Sequence, residues 1–225
     1  MCKGLMRYLL VDVDNTLYPQ STGVLERVDA RIEEFLMWHF SLPKADLQPI
    51  RLSYWQRYGT TLGGLMAERH VNPEEYLAFI HDVAVESLLA PDRELNRLLG
   101  SIRAAKVIFT NACREHAWRV TEALGIAHHF DLVFDIRDMD FIGKPDPRVY
   151  RRLLECLGAE AGECVLLDDS PRNLRTGKEL GMCTVQVGKA ANIGNPSRVG
   201  DGIVGDYHIA EIGLLGEIAA EIGLL

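Results

Sequence analysis

The sequence predicts an α/β protein: a parallel sheet with helices on both faces, interrupted after its first strand by a long helical stretch. Three observations carry this. Short apolar segments recur, and several end abruptly in polar clusters. From Lys106 onward these segments alternate with helical ones, the rhythm of parallel strands joined by crossover helices. Between about Thr22 and Leu99 only helical periodicity is found.

Residues 7–13, RYLLVDV, form a short apolar run that reads as a buried strand, bounded by Asp14-Asn15-Thr16, which a core strand cannot absorb. Val24, Leu25, Val28, Ile32, Phe35 and Leu36 then fall on one face of a helix. Asn72 before Pro73, with Glu75 in the first turn, starts another helix. Ala90-Pro91-Asp92 opens a further short one, and Pro43 and Pro49 break the pattern between. Residues 107–109 read as a strand ending in Thr110-Asn111, followed by a helix over 114–124 that Gly125 stops. Residues 132–134 form a short strand, and Lys144-Pro145-Asp146-Pro147 opens a helix to about Leu157. Residues 164–167 form a strand ending in Asp168-Asp169-Ser170; Pro171 starts a helix and Gly181 ends it. A strand over 184–187 and a marginal one at Ile203-Val204 complete the sheet. The repeated AEIGLL at 210–215 and 220–225 reads as an amphipathic helix, interrupted by glycines and docked on the body.

A chain of 225 residues suffices for one large domain or a domain carrying an inserted one. Lys and Arg number 24 against 32 Asp and Glu, for a formal charge of -8. With no basic stripe, a nucleic-acid polymer is not an expected partner. No apolar run approaches the roughly 18 residues of a membrane span, and the first residues lack a signal-peptide core. A cytoplasmic protein without a membrane partner is expected. The five cysteines (Cys2, Cys113, Cys156, Cys164, Cys183) are scattered and lack any CxxC, which suits reduced thiols and not zinc. Nothing in the sequence specifies an oligomeric state.

The chemistry should gather where the strands end, because ligands of open parallel sheets bind outside the carboxyl ends of the strands. Asp12 and Asp14 stand two apart, so their side chains leave the strand on the same side and repel. A divalent cation removes that conflict. Asp168 and Asp169 add oxygens that suit Mg²⁺. Lys144, the Thr110 hydroxyl, the Asn111 amide and backbone N–H groups at the strand-to-helix turns would hold an anion, phosphate above all.

These residues resemble the four motifs of the haloacid dehalogenase-like superfamily. Asp12-Val13-Asp14-Asn15-Thr16 matches its DxDxT motif, Thr110-Asn111 its second, Lys144 its third and Asp168-Asp169-Ser170 its fourth. The resemblance implies a three-layer Rossmann-like core from residues 1–17 and 100–225, with a helical C1-type cap over 18–99 that sets specificity. It implies that Asp12 is the nucleophile and passes through an aspartyl-phosphate, and that Asp14 is the general acid and then the general base. Lys144 would position Asp12 and, with Thr110, Asn111 and Asn15, hold the transferring phosphoryl oxygens. Mg²⁺ would sit on Asp12, the backbone carbonyl of Asp14 and Asp169, with Asp168 bound directly or through water. Thr16 would order the turn. A dehalogenase reading is disfavoured because a leaving halide needs no acid such as Asp14; a phosphomutase would use Asp14 too.

The phrases DVDNTLYPQSTG and YGTTLGGL (58–65), with FTNA and GKPDP, are similar to the pyrimidine 5′-nucleotidase branch. That likeness implies a nucleoside monophosphate substrate, UMP or CMP. Tyr18, Tyr54, Arg57, Tyr58, Thr60, Thr61 and Arg69 are the candidates to read it, with Tyr58 stacking on the base. The alternatives are a phosphatase for another small metabolite, such as phosphoglycolate or a sugar phosphate, and a non-catalytic binding protein on the same fold. A dinucleotide oxidoreductase is rejected, since no GxGxxG follows the first strand.

Overall fold

Six strands, β1 (Tyr8–Val11), β2 (Ala105–Phe109), β3 (Leu132–Phe134), β4 (Cys164–Asp168), β5 (Cys183–Val187) and β6 (Tyr207–Ile209), pair in parallel in the order β3-β2-β1-β4-β5-β6. They are seen in a computed structural model that describes residues 5–188 and 203–225. β4 and β5 are buried at every position, as parallel strands covered on both faces must be. β1 lies between β2 and β4, where the strand order reverses, so the three polar clusters expected to cooperate leave the sheet side by side.

The expected marginal strand at Ile203-Val204 is displaced to β6. Val204 N–H is taken instead by the Gln186 side chain at 2.9 Å, which holds this stretch against the sheet without a ladder. Downstream of β2, α6 (Arg114–Ala123), α7 (Pro147–Leu157) and α8 (Pro171–Glu179) lie where the sequence places them. Asp146 caps α7 by accepting Arg148 N–H at 2.8 Å.

The stretch between β1 and β2 contains helices and turns but no strand. It holds α1 (Val24–Phe40), α2 (Lys44–Tyr58), α3 (Thr61–Arg69), α4 (Pro73–Ile80) and α5 (Arg93–Ser101). Pro49 does not break α2. It lies near the start of the helix, where its missing N–H removes a single intrahelical bond. Asn72 caps α4 through Glu74 N–H at 2.9 Å, and Asp92 caps α5 through Leu95 N–H at 2.9 Å. Helices α1 to α4 pack on one another, with Phe35 edge-on to Tyr76 at 5.0 Å. From Val83 on, the chain contacts the sheet layers instead. Arg119 of α6 donates to the Val83 carbonyl at 2.7 Å and pairs with Glu86 at 2.8 Å, and Asp92 N–H meets the Leu124 carbonyl at 2.9 Å. These contacts tie the stretch from Val83 to Asp92 to α6 and the residues that follow it.

The tail is not one helix. A 3₁₀ turn (Ile212–Leu214), α9 (Leu215–Ile218) and the turns after it bury Ile212, Leu215, Ala219, Ile222 and Leu224, as glycine-interrupted segments do when packing replaces propensity. Cys113, Cys156 and Cys164 are free thiols. Cys2 lies outside the described residues. Among the described residues no helix is long and apolar enough to cross a membrane.

α2 and α3 approach closely because Gly64 has no side chain: a Cβ there would lie 2.1 Å from Tyr54 Cγ. We expect Gly64→Ala to destabilise the fold by on the order of 2 kcal/mol despite alanine's better helix propensity, read as a lower urea midpoint. Gly162→Ala, whose Cβ would meet nothing within 4 Å, should leave the midpoint unchanged.

Candidate active site

Lys144 is the centre of the site. The residue is 1% exposed, and its Nζ donates to Asp12 Oδ1 at 2.9 Å, Asp168 Oδ2 at 2.7 Å and the Phe109 carbonyl at 2.6 Å. Burial alone would lower the lysine's pKa, but Asp12 and Asp168 outweigh it and keep the ammonium charged. Asn111 clamps the same loop: its Oδ1 accepts Lys144 N–H at 2.7 Å and its Nδ2 donates to the Lys144 carbonyl at 3.0 Å. Gly143 must lack a side chain for this, having φ 78 and a would-be Cβ 3.0 Å from Asn111 Oδ1. Thr110 Oγ1 accepts Ala112 N–H at 3.1 Å, so its hydroxyl proton is available to an anion in the cleft that Thr110 lines.

Asp168 and Asp169 are unequal. Both oxygens of Asp168 are engaged, Oδ1 by Ser170 N–H at 2.8 Å and Asn173 Nδ2 at 3.0 Å, and Oδ2 by Lys144 and Asn173. Asp169 is half-buried and lines the cleft. Ligand oxygens of Asp12, Asp168 and Asp169 lie within 4.8 Å of one another. Burial pushes the Asp12 carboxyl up to about 7 even though Lys144 pulls it down, and Asp168 adds to the rise. One ammonium therefore undercompensates these acids, and the cluster fits a divalent cation.

Asp12 also accepts Thr16 Oγ1–H at 3.3 Å on Oδ2. Asn15 turns the chain in the left-handed conformation, φ 59, which asparagine tolerates. Its buried side-chain amide has no hydrogen-bond partner.

Asp14 is held differently. Tyr18 OH and His116 Nε2 both donate to its Oδ1, the latter at 2.9 Å. Burial raises the Asp14 pKa, but His116 and Tyr18 overcome it and bring the carboxyl down to about 2. Burial and the neighbouring carboxylate raise the Tyr18 phenol, so it remains a neutral donor. His116 in turn lies against His81, ring centroids 4.6 Å apart. Neither histidine is visible as a motif. The cue available is a histidine in the first turn of the helix that follows Thr110-Asn111, and only the fold brings it to Asp14.

The cleft above these groups has a volume of about 280 Å³. Thr60 and Thr61 line it, and Thr60 also caps α3 through Gly63 N–H at 2.9 Å. The other candidates lie elsewhere. Tyr18 is spent on Asp14, and Tyr54 is buried beneath α3. Tyr58 OH donates to Glu68 at 3.0 Å, Arg57 pairs with the same carboxylate at 2.5 Å, and both line a neighbouring cavity. Arg69 sits over Phe40 at 5.2 Å. The far wall is built instead by Asp29, Gln48, Arg51 and Trp55, with the Arg172 guanidinium 3.7 Å above the Trp55 ring.

A group whose folded-state pKa is raised favours folding while protonated, and that contribution is lost as pH rises from the unfolded to the folded value. For Asp12 this window runs from its ordinary 3.8 to about 7. In chelator, Asp12→Asn should therefore melt above the unsubstituted protein at pH 8, by on the order of 2 kcal/mol or about 5 °C. The gap should close at pH 4. An equal loss of stability at both pH values would contradict this account of Asp12.

The haloacid dehalogenase-like hydrolase family profile matches residues 6–181. Phosphate metabolism protein 8 of Saccharomyces cerevisiae is 29% identical over 187 residues, which are 76% of this chain and 58% of that protein. The chain thus spans a little over half of the yeast protein's length. Phosphoserine phosphatase of Thermus thermophilus is 28% identical, covering 89% of this chain and 96% of its own. Among solved structures, the HAD phosphatase from Thermococcus onnurineus superposes with a TM-score of 0.61 at 20% identity, covering 97% and 99% of the two chains. With the profile spanning the three strand-end clusters and Lys144, the protein belongs to the haloacid dehalogenase-like hydrolases.

Proposed function

We propose that the protein is a Mg²⁺-dependent phosphomonoesterase that hydrolyses nucleoside monophosphates, UMP and CMP foremost, through an aspartyl-phosphate on Asp12. The observation that carries this reading is the pairing at one cleft of Asp12, held by a buried ammonium, with a second carboxylate, Asp14, two residues on.

An Asp12 oxygen attacks phosphorus, and the bond from phosphorus to the ester oxygen breaks with its electron pair on that oxygen. Asp14 gives this oxygen a proton. Asp14 is ionised in the free protein, and an incoming phosphate dianion beside it favours uptake of that proton. In the second half, Asp14 takes a proton from the water that attacks phosphorus, orthophosphate leaves and Asp12 is restored. Lys144 fixes Asp12 and offsets its charge, while the Thr110 hydroxyl donates to a phosphoryl oxygen. Mg²⁺ on Asp12, Asp169, the Asp14 carbonyl and Asp168 or its water would supply the positive charge that lets a carboxylate approach a phosphate.

The nucleotide part of the reading is supported by DVDNTLYPQSTG and by YGTTLGGL, whose Gly59, Thr60 and Thr61 form part of the cleft wall. The volume suits one small molecule. The amide of Gln48 and the Arg51–Asp29 pair offer donors and acceptors to a polar ring. A second reading is favoured by the near full-length similarity to an enzyme named for phosphoserine: the same chemistry on a phosphorylated amino or hydroxy acid.

The test is phosphate release with Mg²⁺ from UMP, CMP, AMP, phosphoserine, phosphoglycolate and sugar phosphates. We expect kcat/KM for UMP and CMP to exceed the others by about ten-fold or more, the worth of a few well-placed hydrogen bonds. Chelator and Asp12→Asn should abolish turnover. Phosphoserine as the best substrate would keep the chemistry and replace the nucleotide. No Mg²⁺-dependent release from any of them would overturn the phosphatase reading.

A further inference from the structure

Asp14 must do two things in the reaction proposed above: present a proton to an oxygen of the leaving group, then collect one from water. Both depend on where its carboxyl group points. A carboxylate on a single Cβ turns about two torsions, and one hydrogen bond leaves it free to swing about the donor. Asp14 has two donors on the same oxygen, from parts of the chain far apart. Tyr18 stands on the loop that leaves β1, and His116 on α6, 102 positions from Asp14. With Oδ1 held from both sides, Oδ2 is the oxygen left to the cleft that Asp14 lines.

Neither donor is explained by packing alone. Tyr18 is 2% exposed and His116 1%, and burying a phenol or an imidazole costs free energy that a phenylalanine or leucine there would not incur. His116 has Nδ1 buried with no partner, so its one hydrogen bond is the one to Asp14. Its ring is kept in place from behind. His81 stacks on it at 4.6 Å, tilted by 30°, and His81 Nδ1 lies 3.0 Å from the Leu77 carbonyl and 3.2 Å from Cys113 Sγ. Neither Tyr18 nor His116 lines the cleft, so neither reaches the substrate.

We propose that Tyr18 and His116 are positioning residues that aim Asp14 Oδ2 at the leaving-group oxygen, and that their removal disables leaving-group protonation selectively. The inference rests on the phosphomonoesterase reading. Misaimed, Asp14 no longer meets the oxygen from which phosphorus departs, and that oxygen must leave as an anion. An aryl oxygen such as para-nitrophenolate bears that charge readily, whereas an alkyl oxygen does not.

The test compares kcat/KM, which reports the steps through first phosphoryl transfer, for para-nitrophenyl phosphate and for alkyl esters such as glycerol phosphate and UMP. Tyr18→Phe and His116→Leu should lose about ten- to hundred-fold on alkyl esters, a part of what general acid catalysis supplies, and less than about three-fold on the aryl ester. His116→Gln, which keeps an N–H at similar reach, should recover most of the alkyl activity. Asp14→Asn marks the limit of the effect. Equal losses on both ester classes, or none on either, would overturn the proposal while leaving the phosphatase reading intact. Unsubstituted protein that cleaves neither class would overturn both. If His116→Leu does not fold, Tyr18→Phe, which removes one oxygen atom, decides the matter.

Discussion

The Lys144 ammonium is buried at the point where the three central strands end, and it bonds to one group from each. Asp12 follows β1, the Phe109 carbonyl closes β2 and Asp168 closes β4. Take the charge away and two carboxylates face each other in a dry pocket, a loss on the order of 3–5 kcal/mol for a buried pair broken on one side. The loop that delivers Lys144 is itself held, through the reciprocal amide bonds of Asn111 and the close approach at Gly143. Strand ends, loop and helix starts are therefore coupled through one nitrogen. That nitrogen supplies a single positive charge to a cluster that also contains Asp169, and the charge deficit is what suits the cluster to a cation.

The two carboxylates of the first loop share one origin and have opposite surroundings. Asp12 is desolvated and undercompensated, which favours its neutral form; Asp14 is desolvated too, but a histidine and a tyrosine favour its charge. Strand alternation brings them to the same side, and their neighbours then separate them chemically. One is poised to respond to a cation, the other to the arrival of an anion.

The parts of this site that follow from strand ends were legible in the sequence. Polar residues that stop an apolar strand stand out, so Asp12, Thr110 and Asp168 could be placed beforehand, and the parallel order then makes them neighbours. The cleft wall was not legible. It is one face of α2: Gln48, Arg51, Leu52 and Trp55 follow the spacing of helical turns, but the face is mixed in polarity and Pro49 interrupts its pattern. Tyr54 and Tyr58, which looked better suited, occupy the opposite side, with ring centroids 6.2 Å apart beside α3. The tail kept its docking but not its helix, because buried contacts at Ile212, Leu215 and Ile222 do not require continuous helical backbone. Tyr18 and His116 depend on a contact between distant segments, which no local pattern announces.

The placement of β1 bears on how the protein is made. Tyr8 pairs with Ala105 on one side and Cys164 on the other, and next to it Met6 N–H is satisfied by the Gly223 carbonyl. During translation this strand is made before both of the strands that flank it. Leu9, Leu10 and Val11, all fully buried in the finished sheet, have no strand partner until β2 has been synthesised and gain the second only with β4. The helical unit between β1 and β2 can pack on itself meanwhile, because α1 to α4 find their contacts within their own segment. A nascent chain therefore carries an apolar strand without its partners while the intervening helices pack on one another, and that strand is the segment exposed to aggregation until β2 and β4 arrive.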